Sequence, residues 1–269
     1  ADVLNIFCYF FFNYFTFNLI NKGKIVPLFF TDEHTTLGEM VRDFADNEIT
    51  PVARELDATG EFPKNLVHQM AELGLMGVPI PESLGGAGMD TVAYAATVME
   101  LARADASVAI TMAAHTSLGT MPIVIAGSEK QKKKFVPPLA SGEMIGAFGL
   151  TESDAGSDAG ATKTTAVKKG DEYILNGGKI FITNVGEAGI LNLTARVIEE
   201  DEDKGIGAFI IETNTPGLII NPKEKKMGWC ASDTRQIFFE DMAVPAKNML
   251  GTPGCLVNTS DAADASLRV

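Results

Sequence analysis

Between residues 32 and 143 the apolar positions recur at helical spacing, and beyond 146 they switch to short β-branched and aromatic runs. Leu37, Met40, Val41, Phe44 and Ile49 share one helical face. Thr31-Asp32-Glu33-His34 ahead of them offers an N-cap and first-turn acids. Pro51 interrupts this face and residues 52–56 resume it. Pro63 opens a second helix, with Leu66, Val67, Met70 and Leu73 on one side and Gly74 as its stop. Pro79 and Pro81 bound an extended link, and residues 85–88 read as a turn. Residues 91–104 and 107–125 predict two long helices rich in Ala and Met, the second closed by Gly127. Residues 129–139 predict a short amphipathic helix whose Lys130, Lys132, Lys133 and Lys134 form a solvated face.

The strand-like runs are 148–151, 162–167, 173–176, 179–183, 190–198, 208–212, 218–220 and 235–239. Lys169-Gly170-Asp171 and Asn176-Gly177-Gly178 read as hairpin loops between them. The expected fold is therefore α+β. An N-terminal all-α helical domain (28–145) is followed by an all-β barrel or sandwich domain (146–254).

Composition narrows the function. With 46% hydrophobic residues in 269, the chain can bury a sizeable core. Its net charge of -13 argues against nucleic acid and anionic membrane surfaces as partners. A local anionic ligand stays open, because a few amides or basic side chains suffice to hold phosphates. Cys8, Cys230 and Cys255 are far apart, and His34, His68 and His115 are scattered, so neither a disulfide framework nor a metal spacing is present. A reducing compartment fits this usage.

Residues 1–27 stand apart. Residues 3–20 carry no charge, and half of the 16 Phe lie in the first 30 positions. One reading is a membrane anchor, since eighteen such residues just span a bilayer. The other, favoured by the abrupt composition shift, is that the segment is not native coding sequence. A signal or transit peptide fits less well, because neither a basic n-region nor an Arg- and Ser-rich stretch is present.

Candidate chemistry gathers at the junction of the two domains. Residues 148–158 place Thr151, with a hydroxyl and an amide, near Gly156, which permits close backbone approach, and Ser157, a short donor. Taken alone this segment is also an ordinary Ser- and Asx-rich turn. Glu152 and Asp158 are expected to cap local amides rather than to act as an acid/base pair. Gly85-Gly86-Ala87-Gly88 lacks the βαβ setting of a dinucleotide loop. His115, in an apolar helix, is expected to be structural. Met70, Met76, Met89, Met99, Met112 and Met121 are expected to fill core.

Residues 149–158 (GLTESDAGSD) resemble the signature of the acyl-CoA dehydrogenases. Residues 175–184 (LNGGKIFITN), 226–234 (KMGWCASDT), 239–245 (FEDMAVP) and 81–88 (PESLGGAG) resemble further segments of that family, in family order, so the likeness covers roughly 28–254. It implies FAD as cofactor, held by Phe148, Leu150, Thr151, Gly156, Ser157, Phe181, Ile182 and Thr183, with Ser157 also touching substrate. It implies α,β-dehydrogenation of a short- or medium-chain acyl-CoA, with hydride passing to the flavin while a Glu takes the α-proton. That Glu is expected from a C-terminal helical domain, so no catalytic residue is assigned here. Residues 108–121 are expected near the acyl tail. The implied partners are acyl-CoA and an electron-transferring flavoprotein, the implied assembly is a homotetramer, and the implied compartment is a bacterial cytosol or a mitochondrial matrix. The likeness breaks after 254, and residues 255–269 show no helical apolar face. The expectation is an incomplete chain, or alternatively a non-catalytic flavin- or acyl-CoA-binding fragment.

Overall fold

Helix α1 (Asp32–Phe44) starts where the sequence places it, capped by Thr31 in a capping box closed by His34. A π-turn (Ala45–Ile49) carries it directly into α2 (Thr50–Thr59). Pro51 causes no break there, because it sits in the first turn, where its missing N–H costs nothing. Helix α3 (Lys64–Glu72) follows Pro63, and Gly74 leaves it with φ 73°. Helices α4 (Thr91–Ala104) and α5 (Ala106–Ala114) are capped by Asp90 and Asp105. A second π-turn (His115–Thr120) joins α5 to α6 (Met121–Ala126), and α7 (Glu129–Ala140) closes the helical unit. The computed structural model describes residues 31–254. The proposed anchor, the segment 1–27 and the tail 255–269 lie outside the described residues.

The strands are β1 (Gly146–Gly149), β2 (Thr165–Lys169), β3 (Glu172–Thr183), β4 (Ile190–Glu199), β5 (Glu202–Glu212), β6 (Leu218–Ile220), β7 (Thr234–Pro245) and β8 (Met249–Leu250). They form one eight-stranded sheet in the order β6-β7-β3-β2-β4-β5-β8, with β1 added in parallel to β4. The hydrogen-bonded path is open and not closed into a barrel, which of the two expected forms agrees with the sandwich. The expected hairpin at 169–171 is present, with Lys169 opposite Glu172. The expected hairpin at 176–178 is not: these residues run inside β3. Gly177 follows a register shift against β7 at φ 142°, and a Cβ on it would fall 2.6 Å from Thr164 Oγ1. A Cβ on Gly178 would fall 2.7 Å from the Phe238 ring. Close approach, not a turn, accounts for these two glycines.

Three apolar clusters hold the molecule. One lies within the helices, around Val41, Ile49, Met70, Leu101 and Met112. One lies within the sheet, around Tyr173, Leu193, Phe209 and Ile237. The third joins them, with Ile123, Phe135 and Leu139 of the helices against Ile190 and Ile210 of the sheet. Met70, Met76 and Met112 are core as expected, whereas Met99 is 65% exposed. The stretch Ala106–Ala126 is long and apolar enough to cross a membrane, but most of it is packed inside this core.

The helix–sheet seam is backbone against backbone. A Cβ on Gly119 would lie 2.5 Å from Gly146. Asn192 on β4 donates to the carbonyls of Leu118 (3.1 Å) and Gly119 (2.7 Å). Asn184 donates to Thr111 at 2.9 Å. The first strand, and the segment that follows it, are therefore set by the helices.

Candidate functional site

Strand β1 delivers the chain into residues 150–158, which lie against β3. The Ile180 N–H donates to the Thr151 carbonyl at 2.8 Å. Glu152 and Ala155 exchange backbone hydrogen bonds at 2.9 and 3.2 Å, turning the loop back on itself. A Cβ on Gly156 would stand 3.8 Å from Thr151 Cγ2, so these two positions are neighbours across the turn.

A buried ion pair anchors the loop from below. Lys179, fully buried, points its ammonium at Glu152 Oε1 (2.6 Å), the Leu150 carbonyl (2.9 Å) and Thr194 Oγ1 (3.4 Å). These three acceptors match its three N–H donors. Glu152 in turn accepts from the amides of Lys163 (2.7 Å) and Thr164 (3.1 Å). Burial pushes the Glu152 carboxyl up, but the Lys179 ammonium and those donors outweigh it and hold the group below the usual carboxylate range. The capping role expected of Glu152 is thus met. Asp158 differs: it heads the short turn Ala159–Ala161 without a side-chain cap bond. Arg196 supports that end of the loop instead, donating to the carbonyls of Gly160 (2.8 Å) and Thr162 (3.2 Å).

Above the loop, β3 carries an extra residue. Lys179 pairs with Ile237 and Ile182 with Arg235, three steps on β3 against two on β7. The bulge contains Phe181, held in the left-handed region at φ 59° and 66% exposed. An aromatic ring in that backbone state, turned to solvent, opposes both sterics and hydrophobicity, which makes the bulge a candidate binding surface. Neither the N–H nor the hydroxyl of Thr151 has a hydrogen-bond partner among the described residues.

The structure thus brings Leu150, Thr151, Gly156 and Phe181 to one place. Gly156 and Ser157 are exposed, and Phe148 and Thr183 are half-buried. Ile182 is buried in the sheet core, so its side chain belongs to packing. This arrangement suits a flat, apolar-faced ring with hydrogen-bond acceptors along one edge. His115 is fully buried and structural. Gly86 packs its Cα against Ile80, where a Cβ would come within 2.2 Å of the Ile80 carbonyl, and residues 85–88 form a turn rather than a phosphate loop.

Sequence reasoning passed over Lys179 as a working residue. The available signal was a lysine amid the apolar residues of a strand whose neighbour in the motif set carries a glutamate. It also passed over Trp229, 56% exposed at φ 55°, and the fully exposed Met227 beside it. Their loop is fastened by Lys223, which donates to the Gly60 carbonyl (2.6 Å), and Lys226, which donates to the Ser232 carbonyl (2.7 Å).

Residues 31–143 match the family model of the acyl-CoA dehydrogenase N-terminal domain, and residues 147–242 that of the middle domain. An acyl-CoA dehydrogenase of Bacillus subtilis (strain 168) is 47% identical over 224 residues, which is 83% of this chain and 59% of the relative. The structure of butyryl-CoA dehydrogenase from Megasphaera elsdenii superposes with a TM-score of 0.81 at 42% identity, covering 85% of this chain and 61% of that one. An acyl-CoA dehydrogenase complexed with FAD from Bacillus anthracis gives 0.79 at 40% identity, covering 85% and 39%. The chain spans 59% of the length of the Bacillus subtilis relative it matches.

Proposed function

The chain belongs to the acyl-CoA dehydrogenase family, and on that premise we propose that it holds FAD and serves the α,β-dehydrogenation of a short- or medium-chain acyl-CoA. The observation that carries this reading is the exposed Phe181, strained into a left-handed conformation, beside the open donors of Thr151. FAD, when bound, supplies the hydride acceptor. Thr151 offers its amide and hydroxyl to the acceptor edge of the ring, and Phe181 offers an apolar face. Phe148 and Leu150 line the approach, Gly156 keeps the loop free of a side chain, and Ser157 donates to phosphate and substrate. Thr183 continues the surface along β3, while Ile182 turns its side chain into the sheet core. The butyryl-CoA specificity named for the Megasphaera enzyme favours the short end of the substrate range.

Glu152 is not the base that takes the α-proton. Its oxygens are engaged by Lys179, Lys163 and Thr164, and it is held ionised beneath the loop. A second reading is that the chain binds flavin or acyl-CoA without turning substrate over. An electron-transferring flavoprotein as electron acceptor, a homotetrameric assembly, and a bacterial cytosol or mitochondrial matrix as compartment complete the proposal.

The test is the visible spectrum of the purified chain with FAD, before and after anaerobic butyryl-CoA. A flavin band that bleaches supports the dehydrogenase. A bound flavin that does not bleach selects the second reading. A spectrum indistinguishable from free FAD sinks the cofactor assignment.

A further inference from the structure

The ammonium of Lys179 and the N–H of Thr151 belong to opposite ends of one peptide group. Lys179 Nζ donates to the Leu150 carbonyl at 2.9 Å, and the same Leu150–Thr151 peptide carries the Thr151 N–H. The carbonyl end is clamped inside the fold by a fully buried cation, while the N–H end has no partner among the described residues. A carbonyl that accepts from a cation draws electron density from its own amide nitrogen, so the N–H becomes a stronger donor. The effect is large where little water screens it, as it is around a side chain with no exposed surface.

We infer that Lys179 is a positioning residue that orients the Leu150–Thr151 peptide and polarises it, making the Thr151 N–H a strengthened donor for an electron-rich ring edge. The flavin consequence rests on the cofactor reading above. A ring that gains negative charge on reduction is held more tightly by a polarised donor than its oxidised form. Lys179 therefore favours the reduced cofactor without touching it. Glu152, sharing the ammonium at 2.6 Å, moderates this polarisation.

The two partners therefore act with opposite sign, which a merely structural pair would not do. In Lys179→Met the Leu150 carbonyl loses its cation. In Glu152→Gln the ammonium loses its counter-charge but keeps the carbonyl. The first readout needs no flavin: the amide proton shift of Thr151 in the full chain under selective ¹⁵N-threonine labelling, assigned by its loss in Thr151→Ser. It is expected to move upfield in Lys179→Met and downfield in Glu152→Gln. The second readout is the affinity ratio for reduced over oxidised FAD. It is expected to fall about tenfold in Lys179→Met, equivalent to about 30 mV for a two-electron couple, and to rise in Glu152→Gln. Thr194→Val, which removes the most distant acceptor of the ammonium together with that hydroxyl's own 3.4 Å bond to the Gly149 carbonyl, keeps the test decisive if Lys179→Met does not fold: with the ammonium shared between two acceptors, the Thr151 shift moves downfield.

A Thr151 amide that stays put, or that moves the same way in both charge variants, overturns the inference whatever the flavin does. If the wild-type chain takes up no flavin while the amide shifts move in opposite directions, the cofactor reading fails and the polarised peptide stands.

Discussion

His115 Nδ1 accepts a hydrogen bond from the Gly146 N–H at 2.9 Å, and its Nε2 meets the Leu139 carbonyl at 3.0 Å. An amide must donate and a carbonyl must accept, so the ring is neutral with its proton on Nε2. One side chain of the π-turn thus fixes both the end of α7 and the start of β1, the strand that leads into residues 150–158.

Burial pushes the pKa of His115 from 6.5 down to about 4, against the pull of the Leu139 and Met76 carbonyls. The unfolded chain takes a proton below its ordinary His pKa, and the fold refuses it until about 4. Stability from this site is complete above the unfolded value and falls as pH drops toward the folded one. The slope is about 1.4 kcal/mol per pH unit, for a total of roughly 3 kcal/mol. Urea unfolding across this window is expected to show the loss in the wild type, and a flatter profile in His115→Gln, whose amide can both donate and accept. Parallel profiles for the two proteins would count against this account.

Gly119→Ala is expected to destabilise the chain by about 1–3 kcal/mol. Its Cβ would lie 2.5 Å from Gly146 backbone atoms, which no rotamer change relieves. Thermal unfolding checks it. Gly38→Ala, where nothing lies within 4 Å, is the control and should be neutral or slightly stabilising.

Removing one member of the buried pair should cost more than neutralising both. Lys179→Ala leaves Glu152 buried with an uncompensated charge, a loss of about 3–5 kcal/mol. Lys179→Met with Glu152→Gln keeps an acceptor for the Lys163 and Thr164 amides and should recover much of that loss. Lys179→Met with Glu152→Leu orphans both amides and should recover less. Denaturation midpoints of the three variants, ranked otherwise, would refute the ordering.

Phe181→Gly separates binding from stability. The ring is mostly exposed and its φ of 59° suits glycine, so the substitution should leave stability unchanged or raise it by up to about 1 kcal/mol. FAD affinity should fall, because the apolar face is gone. A matched fall in both quantities would mean that Phe181 is ordinary packing.

The helical starts and stops were legible because caps, prolines and glycines act on their own neighbours. Thr31, Pro63 and Gly74 stand where the sequence puts them. The hairpin at 169–171 was legible for the same reason, and the one expected at 176–178 was not. Asn-Gly-Gly reads as a turn locally, yet those glycines admit Thr164 and the Phe238 ring, which arrive from elsewhere in the chain.

By itself the sequence determined the order of helical and β domains and the family, and it supplied candidate residues for the site. These follow from periodicity and from motifs, each contained in a few consecutive residues. Only the tertiary structure decided which of those residues meet. It put Thr151 under Ile180, turned Phe181 out on a bulge, sent Ile182 into the core and set Lys179 beneath Leu150. Bulges, strand register and buried charge pairs depend on partners distant in the chain, and a local pattern of residues carries no record of what will be packed against it.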